Sequence, residues 1–333
     1  MSSFPFSGAQ SASEQMHIPD GFLSPAVALV LWVIAVIVVA VSLRRADRQL
    51  GERQVPIMGA IAACIFAGQM LNFAVAGGTS GHLLGAALAA ILLGPWAATL
   101  VLTAVVSIQA LLFQDGGLVV LGANIFNMAV VGVWVGYATY RSVLRLAGQR
   151  PWGIFAAGAV AAWLSIVMAA LACALELALS GTSPAPLVIP AMGGIHMLIG
   201  VGEAIITVGA LVFLHAVRRD LFSPETASSS DSRVVWLGGL GVAVLLALLS
   251  PFASTHPDGL EWVAEQQGFL GAAQPPVLSI IPDYLFPGIA NDTMATIVAG
   301  IVGVLIVFGV TMFMTVKRPR AGVVGRGVDG SSH

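Results

Sequence analysis

Lys317 is the only lysine in the chain, and an arginine follows it. A phosphate-binding G-x-x-x-x-G-K-[ST] loop needs a lysine directly before Ser or Thr, so this chain cannot itself be a P-loop ATPase. Cysteine is equally scarce. Cys64 and Cys173 lie inside apolar runs, which leaves no disulfide framework and no thiolate metal cluster. Charge of either sign is rare: 9% of the 333 residues are charged, against 58% that are hydrophobic. No soluble domain has a core large enough to hide that much apolar surface, so the bilayer is the expected solvent. A repeat of ~20–50 residues is lacking, which removes solenoid architectures. Residues 1–15 are Ser-rich and without Lys or Arg, so they lack the charged and apolar regions of a signal peptide.

What is there is apolar length. Leu23–Leu43, Ile57–Ala76, Leu118–Tyr140, Gly153–Leu179, Pro190–Val217, Val234–Ser250 and Met294–Val316 all read as helical crossings of a hydrocarbon core ~30 Å thick. Leu83–Phe113 is too long for one span, and Gly94-Pro95 within it predicts a short helix followed by a full one. The expected count is nine crossings. All 14 Lys and Arg residues then fall in connections on one side: Arg44, Arg45, Arg48 and Arg53; Arg141, Arg145 and Arg150; Arg218, Arg219 and Arg233; Lys317, Arg318, Arg320 and Arg326. That side is cytoplasmic by the positive-inside rule. The N-terminus and the cation-free segments Gly77–Gly81, Gln114–Gly117, Ser180–Ile189 and Pro251–Thr293 are external, and the C-terminus is cytoplasmic.

Two units are visible. The first, residues 16–217, holds seven spans. A polar cytoplasmic linker, 218–233, leads to a two-span hairpin, 234–316, which encloses an external loop carrying Asp258, Glu261, Glu265, Asp283 and Asp292. Residues 317–333 form a cytoplasmic tail. The expected fold is an all-α polytopic membrane protein, a seven-helix bundle plus a C-terminal transmembrane hairpin.

Three segments hold the chemistry. In Met16-His17-Ile18-Pro19-Asp20-Gly21-Phe22, a mature N-terminus at Met16 would bring together the terminal amine, the His17 amide and the His17 imidazole. Such a chelate is tetragonal, which suits nickel or copper and accepts cobalt. The same residues also fit an ordinary juxtamembrane turn. In Gly77–Gly85, His82 stands among glycines that permit close backbone approach, either to complete a four-nitrogen plane or merely to pack helices. In the seventh span, His196 and Glu203 lie seven residues apart on one helix face, as a metal conduit or as partners of polar groups on neighbouring helices. Asn124 and Asn127 are further intramembrane polar groups that hydrogen-bond between helices or hold the site's loops. A rival reading takes Gly78-Thr79-Ser80-Gly81 as the nucleophile motif of an intramembrane serine protease with His196 as base. Another is an ion-coupled secondary metal transporter using His196 and Glu203.

Taken together, Met-His-Ile-Pro-Asp-Gly-Phe (16–22), Gly-Gly-Thr-Ser-Gly-His-Leu-Leu-Gly (77–85), Leu-Gly-Ala-Asn-Ile-Phe-Asn-Met (121–128) and the stretch from His196 to Glu203 resemble the CbiM/NikM family. These are the substrate-specific subunits of energy-coupling-factor importers for cobalt and nickel. His-Pro-Asp-Gly-Leu-Glu (256–261) and Pro-Asp-Tyr-Leu-Phe-Pro-Gly-Ile (282–289) look like the PDGLE module that is often fused to it. The resemblance implies a seven-helix fold in the cytoplasmic membrane, with metal ligands at Met16, His17 and His82. Asn124, His196 and Glu203 would stand behind them or form a conduit. It implies Co²⁺ or Ni²⁺ as transported substrate rather than a prosthetic group. The implied partners are a transmembrane coupling subunit and a pair of cytoplasmic ATPases, with no nucleic acid and no catalysis by this chain. In the family pattern the Met-His pair begins the mature chain, so residues 1–15 are expected to be removed or untranslated.

Overall fold

The computed structural model describes residues 17–49, 54–148, 150–217 and 232–315. Met16, the extension 1–15, most of the linker and the C-terminal tail lie outside the described residues.

Eleven α-helices and one small β-hairpin make up the described chain. Helix α1 (Pro25–Gln49) is followed by α2 (Val55–Gln69), then strands β1 (Phe73–Val75) and β2 (Thr79–Gly81). Next come α3 (Ala86–Leu93) and α4 (Pro95–Ile108), the latter running on as a π-helical turn, Gln109–Phe113. A second π stretch, Phe126–Gly132, joins α5 (Leu121–Ile125) to α6 (Val133–Ala147). Helices α7 (Pro151–Leu179) and α8 (Ala185–Val217) complete the first unit, and α9 (Ser232–Leu249), α10 (Gly259–Gln267) and α11 (Asp292–Thr315) form the second. Seven helices are long and apolar enough to cross a membrane, so the chain is a multi-pass membrane protein of the all-α class.

Local chemistry explains the boundaries. Gly94 sits at φ 76°, ψ 165°, a conformation that L side chains rarely adopt, and Pro95 opens the next helix, so the run breaks where the Gly-Pro pair predicts. Small residues let helices approach. A Cβ on Gly136 would stand 3.0 Å from Ala87, and one on Gly200 would stand 2.8 Å from the Trp163 ring. The second unit does not stand apart: α9 and α11 both pack on α2. Gly239 meets Ala60, and Gly303 lies under the Phe66 ring.

Two of the nine expected crossings hold shorter helices than the apolar runs suggest. The span expected over Ile57–Ala76 is helical only to Gln69, because Phe73–Val75 turns out as a strand paired antiparallel with Thr79–Gly81. Gly77 and Gly78, at φ 87° and 79°, make the turn between them. Helix α3 has 8 residues, about 12 Å at 1.5 Å per residue, and residues 82–85 precede it in non-helical conformation. Buried backbone N–H groups opened here need an acceptor. Glu203 of α8 provides it, accepting from the Leu84 N–H at 2.7 Å and the Gly85 N–H at 2.9 Å. Sequence spacing placed Glu203 beside His196 on one face, whereas its carboxylate is engaged with the start of α3.

Candidate metal site

The site is built on a turn between the two π stretches. His17-Ile18-Pro19-Asp20 lies across residues 115–124 and is fastened at several points. Asn124 accepts from the Ile18 N–H at 3.0 Å and donates to the Ile18 carbonyl at 3.1 Å, satisfying both main-chain groups with one side chain. The Asp20 carboxylate accepts from the amides of Leu118, Val119 and Val120 at 3.1, 2.9 and 3.2 Å. Gly117 donates to the Ile18 carbonyl at 2.9 Å, and Thr182 donates to the Phe22 carbonyl. Gly116 and Gly117 are required here: a Cβ on either would run into His17 or Asp20.

This lattice places the His17 imidazole, 3% exposed, against Asp115, 2% exposed. Nδ1 of His17 stands 2.7 Å from one Asp115 oxygen, and the Tyr284 hydroxyl donates to the other at 2.7 Å. Burial opposes charge on His17, but the Asp115 carboxylate outweighs it and holds the imidazole above its ordinary pKa. Burial likewise works against the Asp115 carboxylate, and the charge and hydrogen bond of His17 with the Tyr284 hydroxyl hold it below the usual range. Nε2 of His17 is buried with no hydrogen-bond partner. A buried ring nitrogen left without a partner is costly unless a ligand uses it.

His82 follows β2, with its ring centroid 5.6 Å from that of His17 and its Nδ1 3.1 Å from the Leu83 carbonyl. His196 comes from α8; its Nδ1–H donates to the Met192 carbonyl at 2.8 Å, and its ring packs at Gly259, where a Cβ would stand 2.9 Å from Cε1. A carbonyl only accepts, so in both residues Nδ1 is the donor. These three histidines, Asn124 and Asp258 line one cavity of about 80 Å³ together with Cys173, Met192 and small apolar residues. Among the described residues no three His, Cys, Asp or Glu side chains converge closely enough to hold a metal ion, so the cavity is not a ready-made cage of side chains. Met16, whose amine was the fourth expected donor, lies outside the described residues.

The loop between α9 and α11 covers this end of the bundle. Ser80 donates its main-chain N–H to the Pro257 carbonyl at 2.8 Å and its hydroxyl to the His256 carbonyl at 2.8 Å; the Thr79 hydroxyl reaches Pro257 at 3.0 Å. Further along, Ile281 N–H donates to the Leu112 carbonyl at 2.8 Å, and Gln274 N–H to the Asp20 carbonyl at 2.7 Å. Asp258 caps α10 by accepting from the Glu261 N–H at 2.7 Å, and burial pushes its carboxyl up to about 8.

Of the residues expected from sequence, His17, His82, Asn124 and His196 meet at the cavity, and Glu203 stands behind the loop that carries His82. As for the protease dyad, the Ser80 hydroxyl donates to the His256 main-chain carbonyl and not to His196. Asn127 donates to Glu176 at 2.8 Å, a hydrogen bond between helices. Sequence reasoning missed Asp115, Tyr284 and the placement of Asp258. Asp115 had a signal, being the lone acid in a short loop followed by two glycines.

The chain matches the family described as "Cobalt uptake substrate-specific transmembrane region" over residues 17–221, and the PDGLE domain over 233–318. It belongs to the CbiM family. A putative fused nickel transport protein NikMN of Archaeoglobus fulgidus is 36% identical over 303 residues, spanning 90% of this chain and 98% of that protein. The fused nickel transport protein NikMN of Rhodobacter capsulatus is 33% identical, covering 89% and 96%. The cobalt transport protein CbiM of Sorangium cellulosum is 34% identical over 213 residues, 62% of this chain and 94% of its own length. A crystal structure of a transition metal transporter superimposes with a TM-score of 0.55 at 38% identity, covering 61% of this chain and 93% of the other.

Proposed function

We propose that the chain is the substrate-capturing membrane subunit of an ATP-driven energy-coupling-factor importer for Co²⁺, Ni²⁺ or both. The observation that carries this is the meeting of the His17 and His82 rings, 5.6 Å apart, at one buried cavity. Because the described side chains do not form a cage, the remaining donors are main-chain nitrogens of the N-terminal segment. A polypeptide beginning at Met16 supplies an amine whose unperturbed pKa of roughly 7.7–8.0 makes its lone pair accessible near neutral pH. The amide and imidazole of one histidine close a six-membered ring with a metal only through Nδ1. The set is then the Met16 amine, the His17 amide and Nδ1, and His82, a four-nitrogen plane that suits Ni²⁺ and accepts Co²⁺.

ATP hydrolysis belongs to separate cytoplasmic chains, coupled through a transmembrane partner, since the lone lysine rules out a phosphate-binding loop here. In this reading the chain sits in the cytoplasmic membrane as seven plus two crossings, with the site external and all its cations on the cytoplasmic side. The third crossing is the non-helical stretch 82–85 with α3. Expressed alone, the chain binds metal but shows little ATP-dependent import. Calorimetric Ni²⁺ and Co²⁺ titration of the purified chain, beside uptake by cells with and without the ATPase partners, tests both halves. Full import by the lone subunit, collapsed by a protonophore, replaces this reading with a secondary transporter.

A further inference from the structure

Helices α8 and α9 follow one another in the chain, yet α9 lies along α2 and α11 while α8 lies along α7. The seam left between them is a groove of about 430 Å³. Ile57 and Ile65 of α2, Phe213 and Val217 of α8, and Val234 and Leu246 of α9 line it, together with part of α3. Leu83, which packs on Gly68, closes the inner end.

The groove cannot hold water well. Among the described residues that line it, Cys64 carries the one polar side-chain atom, and its thiol donates to the Gly239 carbonyl at 3.1 Å. Ordered water needs about two to four polar partners, and this wall offers none to spare. An apolar space of this size is not left empty either, since every lining atom would forfeit its contacts on one side. The occupant is therefore apolar.

Length says which apolar occupant it is. Val234 and Leu246 stand about 18 Å apart along the α9 axis. Half of a hydrocarbon core ~30 Å thick is about 15 Å, so the groove runs from one membrane surface to near the middle of the bilayer. A helix of a second copy or of a partner crosses the whole core, whereas one acyl chain occupies one leaflet. Chemistry at the open end agrees. Arg233, exposed on the first turn of α9 directly before Val234, brings a cation to the level of the headgroups. The first turn of α2, which starts at the same end, has no acidic residue to repel a phosphate.

We infer that the seam is a phospholipid site, with one acyl chain between α8 and α9 and the phosphate at Arg233. The lipid joins the fused unit to the bundle where their own side chains do not meet. Gly238 shows that the space belongs to a ligand. It lines the groove, and a Cβ there would have nothing within 4 Å, whereas one on its neighbour Gly239 would stand 3.0 Å from Ala60. Close helix packing explains the second glycine but not the first. This site is independent of the metal site and of the transport reading.

The test places the full chain in nanodiscs of palmitoyl-oleoyl phosphatidylglycerol, part of which carries a photoactivatable diazirine on the acyl chain. Native mass spectrometry after detergent release should find one phospholipid kept per chain. Light should label α2 and α9 along the groove in preference to Val30, Val33 and Ile37, which α1 exposes without a groove. Gly238→Phe fills the seam and should lower retention at least about tenfold, the weight of two displaced methylenes. Arg233→Gln should lower it about fivefold, the upper weight of an exposed ion pair. Equal labelling of the α1 face and the groove overturns the site whether or not either variant folds. Wild-type retention by a folded Gly238→Phe or Arg233→Gln chain overturns it too. So does a mass of two chains without lipid, which would give the seam to a second copy.

Discussion

The segment from His17 to Phe22 and the segment from Gly77 to Gly85 each bring one imidazole to the same cavity, yet they are fastened by different means. The first lies on the turn 115–124 of its own bundle, held by Asn124 on both sides of Ile18 and by three amides on Asp20. The second is suspended between Glu203 below, which takes the Leu84 and Gly85 amides, and the loop of the fused unit above, which takes the groups of Thr79 and Ser80. One ligand is thus set by the bundle, while the other is set jointly by bundle and hairpin. The fused unit reaches the first segment through the Gln274 N–H on the Asp20 carbonyl and through Phe269 against Phe22, and the second through a strip of main chain.

Removing the imidazoles cancels the comparison altogether. His17→Ala and His82→Ala should each lower Ni²⁺ and Co²⁺ affinity at least about a hundredfold, read by titration calorimetry and metal content. Next in size are the anchors. Asn124→Ala strands the Ile18 N–H, while the Ile18 carbonyl keeps Gly117, and should cost about ten- to a hundredfold in metal affinity. Glu203→Ala strands two buried amides at ~1–3 kcal/mol each, so it should lower the melting temperature and weaken binding more modestly. Glu203→Gln, which still accepts through one oxygen, should recover much of the melting temperature. A Glu203→Ala protein with wild-type stability would show that the His82 segment does not depend on α8.

How far this asymmetry was legible in sequence can be argued residue by residue. Low charge and long apolar runs announce a multi-pass membrane chain, and Gly94-Pro95 announces the α3–α4 break. Phe73-Ala74-Val75 is as apolar as the helix before it, so hydropathy extended α2 through a strand; only the two positive-φ glycines after it hinted at a turn. Helical spacing placed Glu203 correctly on α8, but its partners are main-chain amides 118 and 119 residues away, and amides carry no sequence signature. Tyr284 and Asp115 are 169 residues apart, and neither looks unusual until the fold joins them. Asp258 stood in a motif already noticed, yet loop acids read as solvated; its burial depends on a docking that sequence left open.

The pH dependence sharpens the hairpin side of the comparison. Asp258 is held near 8 when docked and should return toward the ordinary carboxyl range of about 4 when the loop leaves. The docked form therefore binds the extra proton, and docking should strengthen as pH falls from about 8 toward 4 and weaken as pH rises through 8. Glu261 and Asp115 oppose charge on Asp258 while His17 favours it, and the Glu261 amide favours the ionised form. Protease protection of residues 251–293 compared at pH 6 and pH 8.5 measures this, with Asp258→Asn flattening the response. The smallest effect is expected at Ser80. Ser80→Ala removes one hydroxyl donor to the His256 carbonyl and leaves the Ser80 N–H in place, so uptake should stay within about twofold of wild type. Loss of cleavage of a membrane substrate in that variant would instead revive the protease reading.

The central claim, that a metal is held by the amine before His17 together with His17 and His82, is tested most directly by native intact-mass measurement on membrane-extracted, metal-loaded protein. The account predicts that the species carrying one Ni²⁺ or Co²⁺ has a mass beginning at Met16. A metal-loaded, transport-competent species that retains Met1 or Ser2 would contradict it, because Met16 would then offer no amine but a second peptide nitrogen that must lose its proton to bind, and His17 and His82 would need His196 or Asp258 instead.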